Sequence, residues 1–166
     1  MLYLKEINFD DIEKEYLFVC VIPVDENGFT NQWHGCTREE FDEVVRKRMA
    51  YSKGEELPEG YVPETFFYLW KEDVIVGEFR IRHFLCESLI EGAGHIGYFI
   101  GKEYRGRGYA TEGLRLLLEL ARKIVPEEEI YLRVLKSNTP SFKVICKNGA
   151  YVAGEDETHY LLRVNK

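Results

Sequence analysis

With 166 residues, 45% of them hydrophobic and 14% aromatic, the chain is long enough to bury a sizeable core and too apolar for a disordered segment. Its net charge of −7 excludes the broad basic surface of an indiscriminate nucleic-acid binder, although a local basic patch can still hold a nucleotide-like ligand. Cys20, Cys36, Cys86 and Cys146 have neither metal-ligand spacing nor a disulfide framework, so no metal is expected, and Cys20 and Cys86 lie in apolar runs that predict buried thiols. No apolar run would cross a bilayer and the N-terminus does not read as a signal peptide, which predicts a cytoplasmic protein without membrane partners. With no repeat or linker in view, residues 1–166 are expected to form a single domain.

In chain order, Leu2, Leu4 and Ile7 predict a first strand, and Asn8 or Asp10 a cap for a helix with Ile12, Tyr16, Leu17 and Cys20 on its apolar face. Pro23 to His34 reads as an irregular connection. Thr37 and Glu40 have the spacing of a capping box for a second helix carrying Phe41, Val44, Val45 and Met49, with Asp42–Arg46 as an attractive pair and Glu39–Glu43 as a repulsive one. After the turn-rich stretch from Gly54 to Pro63, Thr65–Trp70 and Val74–Phe84 read as strands joined by a turn at Lys71-Glu72-Asp73. Residues 94–101 predict another strand. From Thr111 onward Leu114, Leu117, Leu118 and Ala121 repeat at helical intervals. Ile130–Val134 then reads as a strand, Thr139–Lys147 as a short helix, and Tyr151-Val152 with Thr158–Val164 as a last antiparallel pair. This order predicts an α+β fold: a mixed, mostly antiparallel sheet of about seven strands with about four helices on its two faces. The strands on either side of the long helix should lie side by side and parallel.

The most informative stretch is Arg105-Gly106-Arg107-Gly108-Tyr109-Ala110, between a strand and that helix. Glycines permit tight dihedrals and leave backbone N–H groups uncovered, a helix N-terminus favours an anion, and Arg105 and Arg107 can add charge-assisted bonds. A pyrophosphate-bearing ligand is the sharp reading; a glycine-rich turn with solvated arginines is the bland one. No Gly-Lys-Ser/Thr follows, so this is not a Walker loop, and Gly92-x-Gly94-x-x-Gly97 enters a strand instead of leaving one for a helix, which argues against a dinucleotide fingerprint.

Arg105, Gly108 and Ala110 match the Arg/Gln-x-x-Gly-x-Gly/Ala signature of the GCN5-related N-acetyltransferase (GNAT) superfamily, and Asn138, Ser141, Lys147 and Gly149 match its second segment. The chain resembles that family over residues 94–150, particularly the branch of bacterial ribosomal-protein and small-amine acetyltransferases. The resemblance implies acetyl-coenzyme A (or coenzyme A) as co-substrate, held by Arg105, Gly106, Arg107, Gly108, Tyr109 and Ala110 at its pyrophosphate and by the main chain of Phe99, Ile100 and Gly101 at its pantetheine arm. It also implies that Asn138 and Ser141 contact the cofactor, where the residues alone equally allow a helix cap and a first-turn position. Lys147 and Gly149 read as the end of that helix.

Many family members carry a tyrosine seven residues after the asparagine, thought to protonate the leaving thiolate. Here that position is Ile145, so that mechanism does not transfer. Glu91 and His95 flank the entry to the central strand and are the nearest candidate bases, each with a plain alternative as a solvated carboxylate or a structural imidazole. Proximity, with water taking the proton, is a third option. The loop with Phe29, Asn31, Trp33 and His34, together with Tyr61, Tyr68, Arg82 and His83, is expected to supply the acceptor pocket. The expected activity is acetyl transfer to an amine of a small molecule or peptide within a ternary complex, by a monomer or homodimer; the alternative is a noncatalytic coenzyme A-binding protein.

Overall fold

The computed structural model describes residues 1–166. Its elements are β1 (Leu2–Glu6), α1 (Ile12–Val21), β2 (Asp25–Glu26), β3 (Phe29–Thr30), α2 (Arg38–Ser52), β4 (Glu64–Lys71), β5 (Val74–Arg82), α3 (Glu87–Glu91), β6 (Ile96–Ile100), α4 (Tyr109–Ile124), β7 (Glu129–Leu135), α5 (Thr139–Lys147), β8 (Tyr151–Glu155) and β9 (His159–Asn165). The expected α+β architecture is present: one antiparallel sheet runs β1-β4-β5-β6 and a second runs β7-β9-β8. The nine strands exceed the expected number through the two-residue pair β2–β3, and α3 is the added helix. No helix is long and apolar enough to cross a membrane.

Period-two alternation in β4 sends its side chains to two different cores. Phe67 and Leu69 join Phe79, Ile81 and the buried stripe of α4, Leu114, Leu117, Leu118 and Ala121. Phe66, Tyr68 and Trp70 point the other way, into α1 and α2 against Phe18, Phe41, Val44 and Val45. Each fully buried leucine of the α4 stripe contributes roughly 2 kcal/mol of transfer free energy, so this helix is pinned to the sheet along its length. The capping box of α2 is formed: Thr37 Oγ1 accepts the Glu40 N–H at 3.2 Å and Glu40 Oε2 accepts the Thr37 N–H at 2.8 Å.

Several local expectations are corrected. In α1 the buried residues are Ile12, Glu15, Phe18 and Val19, while Leu17 and Cys20 are exposed. Residues 16–22 are almost continuously apolar, so periodicity cannot choose a face there. Cys86 is half-buried. Arg46 pairs with Glu43 and Glu56, and Asp42 with Arg38, in place of the expected Asp42–Arg46 pair. The connection after Pro23 contains a hairpin whose Asn27-Gly28 turn has both residues at positive φ, 53° and 83°, as a tight two-residue turn requires.

Glu15 is buried among α1, β1 and α2, where its Oε1 accepts the Asn8 N–H at 3.1 Å and its Oε2 has no partner. Burial pushes its carboxyl up to about 8. A carboxyl raised on folding stabilises the fold fully below its unfolded pKa near 4.5 and loses that contribution as pH rises through about 8. Glu15→Gln has no proton to lose. Between about pH 5 and pH 9 the wild type is therefore expected to lose roughly 2–4 kcal/mol of unfolding free energy relative to the variant. Urea titrations of both proteins at the two pH values measure it, and parallel pH dependences would refute it.

Candidate functional site

The two sheets meet only at one bridge, Gly94 with Leu132, of antiparallel type, next to the His95 N–H bond to Tyr131 O at 2.8 Å. Beyond that point β6 and β7 separate, so the expected parallel ladder does not form. Bonds to β5 fall on His95 and Gly101, the residues that flank β6, with Gly97 opposite Arg80 and Phe99 opposite Glu78 between them. By strand alternation, the N–H and C=O groups of Tyr98 and Ile100 then point into the gap.

A cavity of about 410 Å³ opens from this gap along the N-terminus of α4. It is lined by Phe99, Ile100, Arg105, Gly106, Gly108, Tyr109, Ala110, Asn138 and Ser141, all of them among the residues the sequence singled out. Gly101 and Arg107 lie outside the lining. Gly101 is buried, its N–H bonded to Val76 O at 3.0 Å, and Arg107 is exposed. At the turn, Gly106 and Gly108 take φ of 76° and 78°, and a Cβ at either would meet nothing within 4 Å. The N–H groups of Gly106, Arg107, Gly108, Tyr109, Ala110 and Thr111 find no acceptor within the chain. Uncovered donors at the N-terminus of a sixteen-residue helix form an anion cradle.

Arg105 does not face that cradle freely: its Nε donates to Ile100 O at 3.0 Å and its Nη2 pairs with Glu26 at 2.5 Å. The pairing ties the β2–β3 hairpin to the turn. Phe29 packs on Phe99 at 5.3 Å between ring centroids, and Gly28 lies against Leu135 of β7, so the hairpin spans the splay. The cations left unpaired around the cavity are Lys143 and Lys147, which lie with Pro140 and Val144 on one stripe of α5. Read from sequence, Lys147 only ends that helix; its i, i+4 spacing from Lys143 is the signal that would have placed both at the cavity.

Asn138 caps α5, its Oδ1 accepting the Ser141 N–H at 3.2 Å, and it lines the cavity as well. Ser141 Oγ lies 2.7 Å from the Tyr98 hydroxyl, and burial pushes the Tyr98 phenol up to about 12. Sequence reasoning missed Tyr98, because strand alternation does not reveal that its hydroxyl crosses the gap to α5. Ile145, buried in the core, supplies no proton.

The two candidate bases lie elsewhere. His95 is fully buried; its Nδ1 accepts the Tyr131 N–H at 2.8 Å and its Nε2 lies 3.2 Å from Glu127. Burial lowers its pKa, against the opposing effect of Glu127. Glu91 ends α3 as an exposed residue, outside the lining of the cavity. Neither faces the gap.

Of the expected acceptor residues, Phe29 and Arg82 line a second cavity of about 430 Å³, continuous with the first along Tyr98, Asn138 and Ser141. Tyr61 and Arg82 border a third, of about 260 Å³. Asn31 is buried and clamps the main chain, donating to Val19 O and Ile22 O. His34 Nδ1 lies 3.2 Å from Ile22 O, His83 Nε2 lies 2.8 Å from Thr65 Oγ1, and Tyr68 is fully buried. Trp33 packs against the Arg48 guanidinium.

The family model for the acetyltransferase (GNAT) domain matches residues 5–151. No curated protein matches the chain. Among solved structures, RimL, a ribosomal L7/L12 alpha-N-protein acetyltransferase in complex with coenzyme A, superposes with a TM-score of 0.72 at 14% identity, covering 99% of this chain and 93% of its own. An acetyltransferase of the GNAT family from Streptococcus pneumoniae gives 0.66 at 17% identity over 99% of both chains. The N-acetyltransferase PseH of Campylobacter jejuni, in complex with acetyl coenzyme A, gives 0.61 at 15%, over 100% of this chain and 99% of that one. At these identities the likeness is one of fold.

Proposed function

The chain belongs to the acetyltransferase (GNAT) domain family, and from that footing we propose that it transfers an acetyl group from acetyl-coenzyme A to a primary amine. The observation that carries this reading is the run of unsatisfied N–H donors from Gly106 to Thr111, opening on a cavity that continues into the splay between β6 and β7. The residues fit the co-substrate chemically. Donors and the lysines of α5 suit its phosphates, and the amides of Tyr98 and Ile100 suit an extended amide-bearing arm. Structures with coenzyme A and acetyl coenzyme A bound exist for proteins of the same fold, which supports the assignment.

Acetyl-coenzyme A supplies a thioester whose carbon is open to attack by a neutral amine. A C–N bond forms, the C–S bond breaks, and the amine proton ends on sulfur. This chain's part is to orient the reactants, to present a main-chain N–H of the splayed strand to the carbonyl oxygen, and to carry the proton. Tyr98 and Ser141 are the hydroxyl pair at the junction of the two cavities, so we assign proton transfer to them in place of His95 and Glu91.

The test is calorimetric titration with coenzyme A and acetyl-coenzyme A, followed by thiol release across a panel of amines and peptides. Micromolar binding together with acceptor-dependent thiol release is expected, and absence of binding by both ligands would overturn the reading. Binding without transfer to any acceptor would instead favour a noncatalytic coenzyme A-binding protein.

A further inference from the structure

The second cavity carries a charge pattern opposite to that of the whole chain. Its lining includes Arg80, Arg82 and Arg133 and not one Asp or Glu, in a protein of net charge −7. Arg133 is offset by its ion pair with Asp156. Arg82 has only a distant carboxylate, Glu64 at 3.9 Å, and donates to Gly94 O at 3.2 Å. Burial, and then the neighbouring charge of Arg80, lower the Arg82 pKa to about 10, with Glu64 acting in opposition. Arg80 forms no ion pair, and its buried Nε has no hydrogen-bond partner. Its guanidinium lies 5.5 Å from the Phe29 ring and 5.9 Å from the Phe66 ring.

The fold builds this arrangement deliberately enough to be read from the register. Arg80 and Arg82 are two apart on β5, so both leave the same face of the sheet. Opposite Arg80 on β6 is Gly97, where a Cβ would lie 2.9 Å from the Arg80 Nε; the missing side chain is what lets the guanidinium lie across the strand. Both arginines also line the third cavity, so they stand between it and the second cavity, which Tyr98 lines from the opposite face of β6. Two like charges held side by side, one with an orphaned buried donor, are costly unless an anion completes them. Bidentate oxyanion recognition is the chemistry that guanidinium groups perform best.

We propose that the acceptor amine also carries an anionic oxyacid group, a carboxylate or a phosphate, which Arg80 and Arg82 hold beside the splay while the amine reaches through the splay toward Tyr98. The inference rests on the acetyl-transfer reading and narrows its substrate to anionic amines, leaving polyamines and other polycations as poor acceptors.

Heteronuclear NMR of the arginine Nε–Hε groups tests it on the full chain, with and without saturating coenzyme A. The probes are inorganic phosphate, phosphoethanolamine, β-alanine, ethanolamine and putrescine. Phosphate and at least one anionic amine are expected to shift the Arg80 signal saturably, with the anionic amine binding roughly tenfold or more tighter than ethanolamine or putrescine. The stronger of phosphoethanolamine and β-alanine identifies the oxyacid. Arg80→Gln is expected to abolish the preference without changing coenzyme A affinity. Gly97→Ala, which displaces the guanidinium while keeping its charge, is expected to weaken it too. Ethanolamine or putrescine binding as tightly as both anionic amines, or the lack of any saturable Arg80 shift with phosphate and with both anionic amines, overturns the proposal even if both variants fail to fold. Coenzyme A calorimetry run alongside keeps the two readings separate: its failure removes acetyl transfer, whereas the Arg80 signal reports on the anion site alone.

Discussion

Gly108→Val combined with Ala110→Trp is expected to weaken coenzyme A binding by about 100-fold or more while the chain stays folded. Gly108 sits at φ 78°, a region that a β-branched residue enters at a cost of about 1–2 kcal/mol, so the turn must shift to relieve it. Ala110 lies in the first turn of α4, where an indole would cover the N–H groups that converge on the cavity. Losing two charge-assisted hydrogen bonds, each contributing about 1.5–3 kcal/mol, already amounts to two orders of magnitude or more. At Gly108 the protein itself has little to lose. A Cβ at Gly108 would touch nothing within 4 Å, and the leucine stripe that anchors α4 begins only at Leu114. Calorimetry gives the affinity and a far-ultraviolet melting curve gives the fold. A loss under tenfold in a folded variant would mean that the turn does not hold the phosphates.

Periodicity made the larger elements legible wherever a strong apolar pattern was bounded by turn residues. α5 spans Thr139–Lys147 as the sequence predicts, and α4 buries the expected Leu114, Leu117, Leu118 and Ala121. Where the apolar pattern is continuous, as in residues 16–22, the buried face was open; the helix buries the side that carries Glu15, whose Oε1 accepts the Asn8 N–H from the connection before α1. The β2–β3 hairpin was hidden by the shortness of its strands, although Asn27-Gly28 is a hairpin signal in its own right. Missing it meant missing what closes the cavity, because Glu26 and Phe29 reach Arg105 and Phe99 from that hairpin.

The run of uncovered N–H groups at the turn was legible because it is a property of consecutive residues. The hydroxyl pair to which we assign proton transfer was not, because it depends on which side chains from distant elements meet. His95 looked attractive as an imidazole at the mouth of a strand, yet its Nδ1 is used by the Tyr131 N–H and its Nε2 by Glu127, a role fixed by residues more than thirty positions away. Tyr98, three residues later in β6, faces the gap with its hydroxyl on Ser141. The difference between the two is one of strand parity: residue 95 is bonded into β5 at the closed end of the splay, and residue 98 lies on the alternate face where the sheets have parted.

Tyr98→Phe is accordingly expected to lower kcat by about 100-fold with coenzyme A affinity changed by less than about threefold. The phenyl ring keeps the stacking on Phe79, at 5.4 Å, so the variant removes a hydroxyl and little else. Ser141→Ala should reduce kcat similarly, and the double variant should be hardly slower than either single one, because both hydroxyls carry the same proton. The pH profile separates this relay from an ordinary acid. Burial holds the Tyr98 phenol up to about 12, so it stays protonated throughout the neutral range and contributes no alkaline fall in rate below about pH 10. The rising limb then belongs to the acceptor amine losing its proton, and should move with the pKa of the amine when acceptors are exchanged. Additive losses in the double variant would break the relay into two unrelated effects. An unchanged kcat in Tyr98→Phe would leave proximity and bulk water as the whole of proton transfer, with the cradle at Gly106–Thr111 still holding the co-substrate.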